Sequence, residues 1–302
     1  MESAILILLM ICLYSFQSFC CKKYTDTYPG RADLASPVFT AVSGVVVAII
    51  SLCFMGFRFS AAPLTVLLGV LNALSITGFN YFMVKTSQSG PYTILMLFAI
   101  AGGIITPTIA ALFFGVVPSF LKCLGVAVVI VGVYVSSYRK DESETDLKVF
   151  IPACLGLALS NGAHASITDM QQRLTGAAEK EELVCITYFV AAVISTAILA
   201  FKLLGKGDGA FGARAYAKAF KQSRISLFFL VVTSVIAGTA INLLVIIIGL
   251  LNDITLLYTL NNSGILLMSA LLSFIFLKEK INKINLLGYV IMCGAMVLVS
   301  LF

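Results

Sequence analysis

Apolar runs separated by short polar turns fill almost the whole chain, and a run of about 20 residues is what a helix needs to cross ~30 Å of hydrocarbon. Ten such runs can be placed, at residues 4–20, 35–55, 62–84, 91–115, 119–137, 149–167, 183–203, 226–249, 254–277 and 284–302. They predict an all-α, polytopic membrane protein of ten transmembrane helices. The first run has no basic residue before it, only Glu2, and its Lys22 and Lys23 lie beyond it, so it is read as a retained helix rather than a secretory signal.

The pattern also repeats. Residues 85–138 read as a tight hairpin: Ser87 to Gly90 and Pro91 start a helix, an apolar run follows to Gly115, and a second run carries Gly125 and Gly132. The last fifty or so residues follow the same order. Asn252 and Asp253 precede an apolar run to Leu277, a turn follows through Lys283, and the final run carries Gly288 and Gly294. Asp253 is expected to cap the ninth helix. Asn80 stands eleven residues before Pro91, as Asn242 stands eleven before Asp253. Divided near Glu142, the chain becomes two five-helix repeats, residues 1–142 and 143–302. Five is odd, so the second copy crosses the membrane in the opposite sense, the inverted repeat of many transporters.

Composition agrees with this picture. The chain is 60% hydrophobic and 11% charged, with a mean hydropathy of +1.04; soluble domains are about a quarter charged. The net charge of +6 does not point to nucleic acid, because the basic residues gather in turns. Of the 20 Lys and Arg, only Arg58, Lys122, Arg173 and Lys180 fall in even-numbered turns; the other sixteen fall in odd-numbered ones. The positive-inside rule then puts the odd turns in the cytoplasm of a cell (inner or plasma) membrane and both termini outside. In the turn after helix 7, Arg214, Lys218 and Lys221 share a stripe, the pattern of a short helix lying on an anionic leaflet. The eight cysteines form no CxxC and no Cys/His cluster, so they are read as packing residues and no cofactor or metal is expected.

On the segment from Lys85 through Gly125 and Gly132, and from Asn252 through Lys278, Glu279 and Lys280 to Gly288 and Gly294, the chain resembles the drug/metabolite transporter superfamily in its ten-helix EamA-type branch. The resemblance implies a basket in which helices 3, 4, 8 and 9, with parts of 1 and 6, surround a central cavity, while 5 and 10 lie peripherally. Three features depart from that branch. Residues 115–118 lack the acidic residue usual in the first hairpin turn, which only Glu279 keeps; there is no tryptophan; and the charges place the termini opposite to where members are commonly drawn.

Polar side chains inside spans are costly and so mark cavities or helix contacts. The candidates for substrate binding are Ser15 and Ser18 on helix 1, Asn72 and Asn80 on helix 3, Thr106 beside Pro107 on helix 4, Asn161 and His164 on helix 6, Asn242 on helix 8, and Tyr258, Asn261 and Asn262 on helix 9. Each has an alternative reading as a helix-to-helix hydrogen bond of ~0.6 kcal/mol. His164 is the only histidine and the candidate for proton coupling. The spans hold no glutamate and almost no Lys or Arg, so proton exchange at a buried glutamate and a multiply phosphorylated substrate are both disfavoured. The expected function is transport of a small neutral or zwitterionic metabolite, such as an amino acid or amine, by alternating access, with the lipid bilayer as its other partner. The rival readings are a membrane sensor or partner subunit, and an intramembrane enzyme, which lacks an HExxH motif or an acidic pair in a span.

Overall fold

The structure is a computed structural model that describes residues 2–113, 115, 117–136, 147–175, 179–204, 223–250, 254–279 and 282–301. The division near Glu142, the basic stripe of Arg214, Lys218 and Lys221, the cap at Asp253 and the side chain of Tyr258 lie outside what is described. Among the described residues there are ten helices and no strand: α1 (Glu2–Thr27), α2 (Ala32–Phe54), α3 (Pro63–Ser89), α4 (Tyr92–Phe113), α5 (Phe120–Ser136), α6 (Leu147–Thr175), α7 (Lys180–Leu204), α8 (Arg224–Leu250), α9 (Ile254–Leu272, continued by a π turn at Ser273–Leu277) and α10 (Lys283–Leu301). Eight of them are long and apolar enough to cross a membrane. The apolar stretches of α5 and α10 are shorter, and the 17 residues of α5 span about 25 Å at ~1.5 Å per residue.

The distribution of side chains is that of a protein solvated by hydrocarbon. Large apolar residues such as Leu67, Phe201 and Val290 are exposed, whereas Asn72, Thr187 and Asn242 are buried. In water that would be an extensive sticky surface; in a bilayer it is the favourable arrangement. The protein is therefore a multi-pass membrane protein.

Several helices outrun the apolar segments that predict them. α1 continues to Thr27, so Lys22 pairs with Asp26 one turn on, at 3.0 Å. α6 continues to Thr175, and Arg173 meets Asp169 at 2.8 Å with the same spacing. Such i,i+4 pairs support the last turn where it leaves the apolar layer.

The helices pack in matched pairs. α2 lies along α7 and α5 along α10; α1 packs on α8 as α3 packs on α6; α4 packs on α6 as α9 does on α1; and α3 packs on α7 as α8 does on α2. Missing side chains allow the closest approaches. A Cβ on Gly102 would stand 2.0 Å from the Ala158 carbonyl oxygen, and one on Gly162 would stand 2.0 Å from Thr106 Oγ1, so α4 and α6 cross nearly backbone to backbone. Gly132 and Gly288 do the same for α5 and α10, whereas Gly294 faces open space. Pro107 removes one helical N–H inside α4, and the hydroxyl of the adjoining Thr108 donates to the Ile104 carbonyl at 2.8 Å.

Contacts between turns sort the molecule into two ends. At one, Glu179 accepts from the Ala62 N–H at 2.9 Å, bringing the starts of α7 and α3 together near both chain termini. At the other, Lys22 donates to the Ser87 carbonyl, Lys202 to the Asp33 carbonyl at 2.8 Å, and Tyr24 to the Ala35 carbonyl at 2.8 Å.

Candidate functional site

A cavity of about 590 Å³ runs from the middle of the helix bundle to the end that carries the termini. Its inner part is walled by Gln17 and Ser18 of α1, Asn72 of α3, Asn161 and His164 of α6, and Asn261 and Asn262 of α9. Toward the termini the lining passes through Thr168 and Asp169 to Pro118, Lys122, Arg173 and Lys180. Between the inner part and the opposite end stands the start of α4, where Tyr92, Leu95 and Leu97 are fully buried. The cavity is thus open on one side and closed on the other.

Each polar residue is carried to the wall by the packing of its helix. Asn161 sits one residue before Gly162 at the α4–α6 crossing, and its Nδ2 donates to the Ala99 carbonyl at 2.7 Å. That bond orders the amide and leaves its oxygen for other partners. His164 lies one turn further along the same face. Its Nδ1 is 2.9 Å from Asn72 Oδ1, an oxygen that only accepts, so Nδ1 carries the hydrogen and Nε2 is left as an acceptor in the neutral ring. Three other lining atoms are buried without a partner: Gln17 Oε1, Thr187 Oγ1 and Asn261 Oδ1. An unpaired buried polar atom costs about 1–3 kcal/mol. All three belong to residues that line this one cavity.

Of the residues singled out by sequence, Ser18, Asn72, Asn161, His164, Asn261 and Asn262 line the cavity together. Four others stand elsewhere. Ser15 is fully buried beneath it, its carbonyl 3.4 Å from the Tyr92 hydroxyl. Asn80 is buried on α3 and absent from the lining. Thr106 fills the space beside Gly162. Asn242 ties α8 to α2, donating to Ser51 Oγ at 3.0 Å and to the Gly238 carbonyl at 2.8 Å. Among the described residues no three metal-binding side chains come together.

The sequence reading missed Gln17 and Thr187, and it missed the charged mouth. Gln17 sits between the two serines of α1 that drew notice, and its own polarity was the available signal. Thr187 and Tyr188 bring α7 into the wall, a helix that the resemblance did not include. Lys122, Arg173 and Lys180 were assigned to turns, and only the full length of α6 shows that Asp169 and Arg173 continue the lining. Among the described residues, the Lys and Arg of the lining stand at the mouth of the cavity.

No family model matches the sequence, and no curated protein matches it. A solved structure described as "Crystal structure of protein" is similar over 99% of this chain and 96% of that one, with a TM-score of 0.55 and 13% sequence identity. At that identity the likeness is one of fold alone.

Proposed function

We infer that the protein is a membrane transporter of the ten-helix drug/metabolite, EamA-like type, moving a small neutral or zwitterionic metabolite by alternating access. The observation that carries this reading is the cavity: open at one end, closed at the other, and lined at its inner part by uncharged polar groups with unpartnered atoms on helices from both halves of the chain. Buried unpaired side-chain atoms also occur away from the cavity, at Ser15 and Asn242 among others; those of Gln17, Thr187 and Asn261 are grouped on residues that line one cavity. The matched helix pairings support two inverted five-helix repeats, since exchanging each helix of the first half with its counterpart in the second turns the α1–α8 contact into α6–α3 and the α4–α6 contact into α9–α1. α2 with α7 and α5 with α10 map onto themselves.

The substrate class follows from the same wall. Amide, hydroxyl and imidazole groups recognise amines, hydroxyls and amides, and at the mouth, where Asp169 pairs with Arg173, Lys122 and Lys180 suit a carboxylate on entry. An amino acid or amine fits both. With sixteen basic residues on the odd turns, the open side faces outward and both termini lie outside the cytoplasm.

The test is a thermal-shift screen of the purified protein against amino acids, amines, nucleosides and sugars, followed by uptake into proteoliposomes. One class should raise the melting temperature by mass action, and Asn262→Leu should abolish that rise while leaving the protein folded. Stabilisation that survives both Asn161→Leu and Asn262→Leu, or a library that gives no stabilisation, would reject the reading.

A further inference from the structure

We propose that Glu279 is a one-sided latch: from the turn between α9 and α10 it holds the start of α4 in the position that closes the cavity at the end opposite the termini. Its carboxylate accepts four hydrogen bonds, from the Tyr92 N–H at 2.6 Å, the Thr93 N–H at 3.2 Å, the Thr93 hydroxyl at 2.9 Å and the Ser273 hydroxyl at 2.7 Å. The first N–H groups of a helix have no carbonyl within that helix and carry the positive end of its dipole. α4 has no acidic residue in its own first turn, and the carboxylate that takes that place comes from 186 residues along the chain.

The backbone is shaped to deliver it. α9 widens into the π turn at Ser273–Leu277, Lys278 then takes a left-handed conformation with φ of 55°, and the Glu279 N–H turns back toward the Ser273 carbonyl. A lysine in that region costs free energy that a glycine would not, and here the cost accompanies the aiming of the next side chain. What the carboxylate holds is the plug itself. Tyr92 is fully buried, and its hydroxyl lies 3.4 Å from both the Ser15 carbonyl and Ser269 Oγ, joining α4 to α1 and α9.

The other hairpin carries no matching acid in its turn. Residues 115–119 contain Gly115, Pro118 and Ser119 but no acid, so the turn between α4 and α5 cannot hold α9 in the same way. Glu179 ties α7 to α3 at the other end, but no acid ties the α4–α5 turn to α9, so the α9–α10 latch biases the protein toward the state closed at its own end. That the closed end also opens rests on the transport reading; the latch itself can be tested without any substrate.

Cys21, 3% exposed on α1 and in the same apolar cluster as Tyr24 and Tyr92, reports opening at the closed end. Cys185, packed where α7 meets α2 near the other end, reports general loosening. In the full chain reconstituted in lipid, with one of these as the sole cysteine, a water-soluble maleimide should label Cys21 about tenfold faster in Glu279→Gln, which loses donors' partners at a charged acceptor, and by a smaller factor in Thr93→Val. Labelling of Cys185 should not change. Unchanged Cys21 labelling in both variants, or an equal rise at Cys185, overturns the latch. Faster Cys21 labelling in a protein that transports nothing would keep the latch and reject the transport reading.

Discussion

His164 Nδ1 lies 2.9 Å from Asn72 Oδ1, so the only histidine of the chain joins α6 to α3 at the wall of the cavity. The contact couples two helices that approach the site from different halves of the sequence. It also leaves Nε2 as the acceptor of the neutral ring, on a residue that lines the cavity.

This pair makes the first prediction. His164→Leu and Asn72→Leu should each destabilise the protein, and a double-mutant cycle should return a coupling of roughly 0.5–2 kcal/mol. Thermal unfolding in one detergent measures it, and strict additivity would show that the contact is not made. If the ring also takes up a proton during transport, His164→Gln should flatten the pH dependence of uptake, because glutamine keeps a hydrogen bond to Asn72 but does not titrate.

Gln17 and Asn261 separate binding from packing. Each presents a buried oxygen with no partner, so replacing the group with an apolar one removes a desolvation penalty rather than a bond. Gln17→Leu and Asn261→Leu should therefore melt at or above the temperature of the parent while losing at least tenfold in ligand affinity. Asn242→Leu should do the reverse: its Nδ2 makes two hydrogen bonds that outweigh its own unpaired oxygen, so the variant should lose about 1 kcal/mol while leaving affinity unchanged.

The glycines at the α4–α6 crossing give a steric test. Gly162→Ala puts a methyl group 2.0 Å from Thr106 Oγ1, and Gly102→Ala puts one 2.0 Å from a backbone oxygen that cannot rotate away. Both should cost about 1–3 kcal/mol or more, with Gly102→Ala the worse. Gly294→Ala adds its methyl to open space and should stay within about 0.5 kcal/mol of the parent.

Orientation can be read with native thiols. Cys53, near the C-terminal end of α2, and Cys123, near the start of α5, are exposed at the end that carries the termini. With the basic turns inside, a membrane-impermeant thiol reagent should label both on intact cells, and a C-terminal reporter active only outside the cytoplasm should give a signal. Labelling only after the cells are permeabilised would reverse the assignment.

The apolar segments and the charge asymmetry of the turns between them are legible in the chain, because each depends on local composition alone: a span needs about 20 apolar residues, whatever its neighbours. The repeat of Gly125 and Gly132 by Gly288 and Gly294 was legible for the same reason. What these glycines do was not, since Gly132 and Gly288 meet the facing helix while Gly294 meets nothing.

The rotation of each helix was decided only in three dimensions. In water, an apolar stripe shows which face turns inward. In hydrocarbon the lipid-facing side is as apolar as the packed side, so polarity alone could not distinguish Asn261, which lines the cavity, from Asn242, which ties two helices together. Backbone contacts such as that of Gly102 with Ala158 set those rotations. The same holds for Glu279 and Tyr92: the acid and the amide it holds are 187 residues apart, and only the packing of the two hairpins brings them to 2.6 Å.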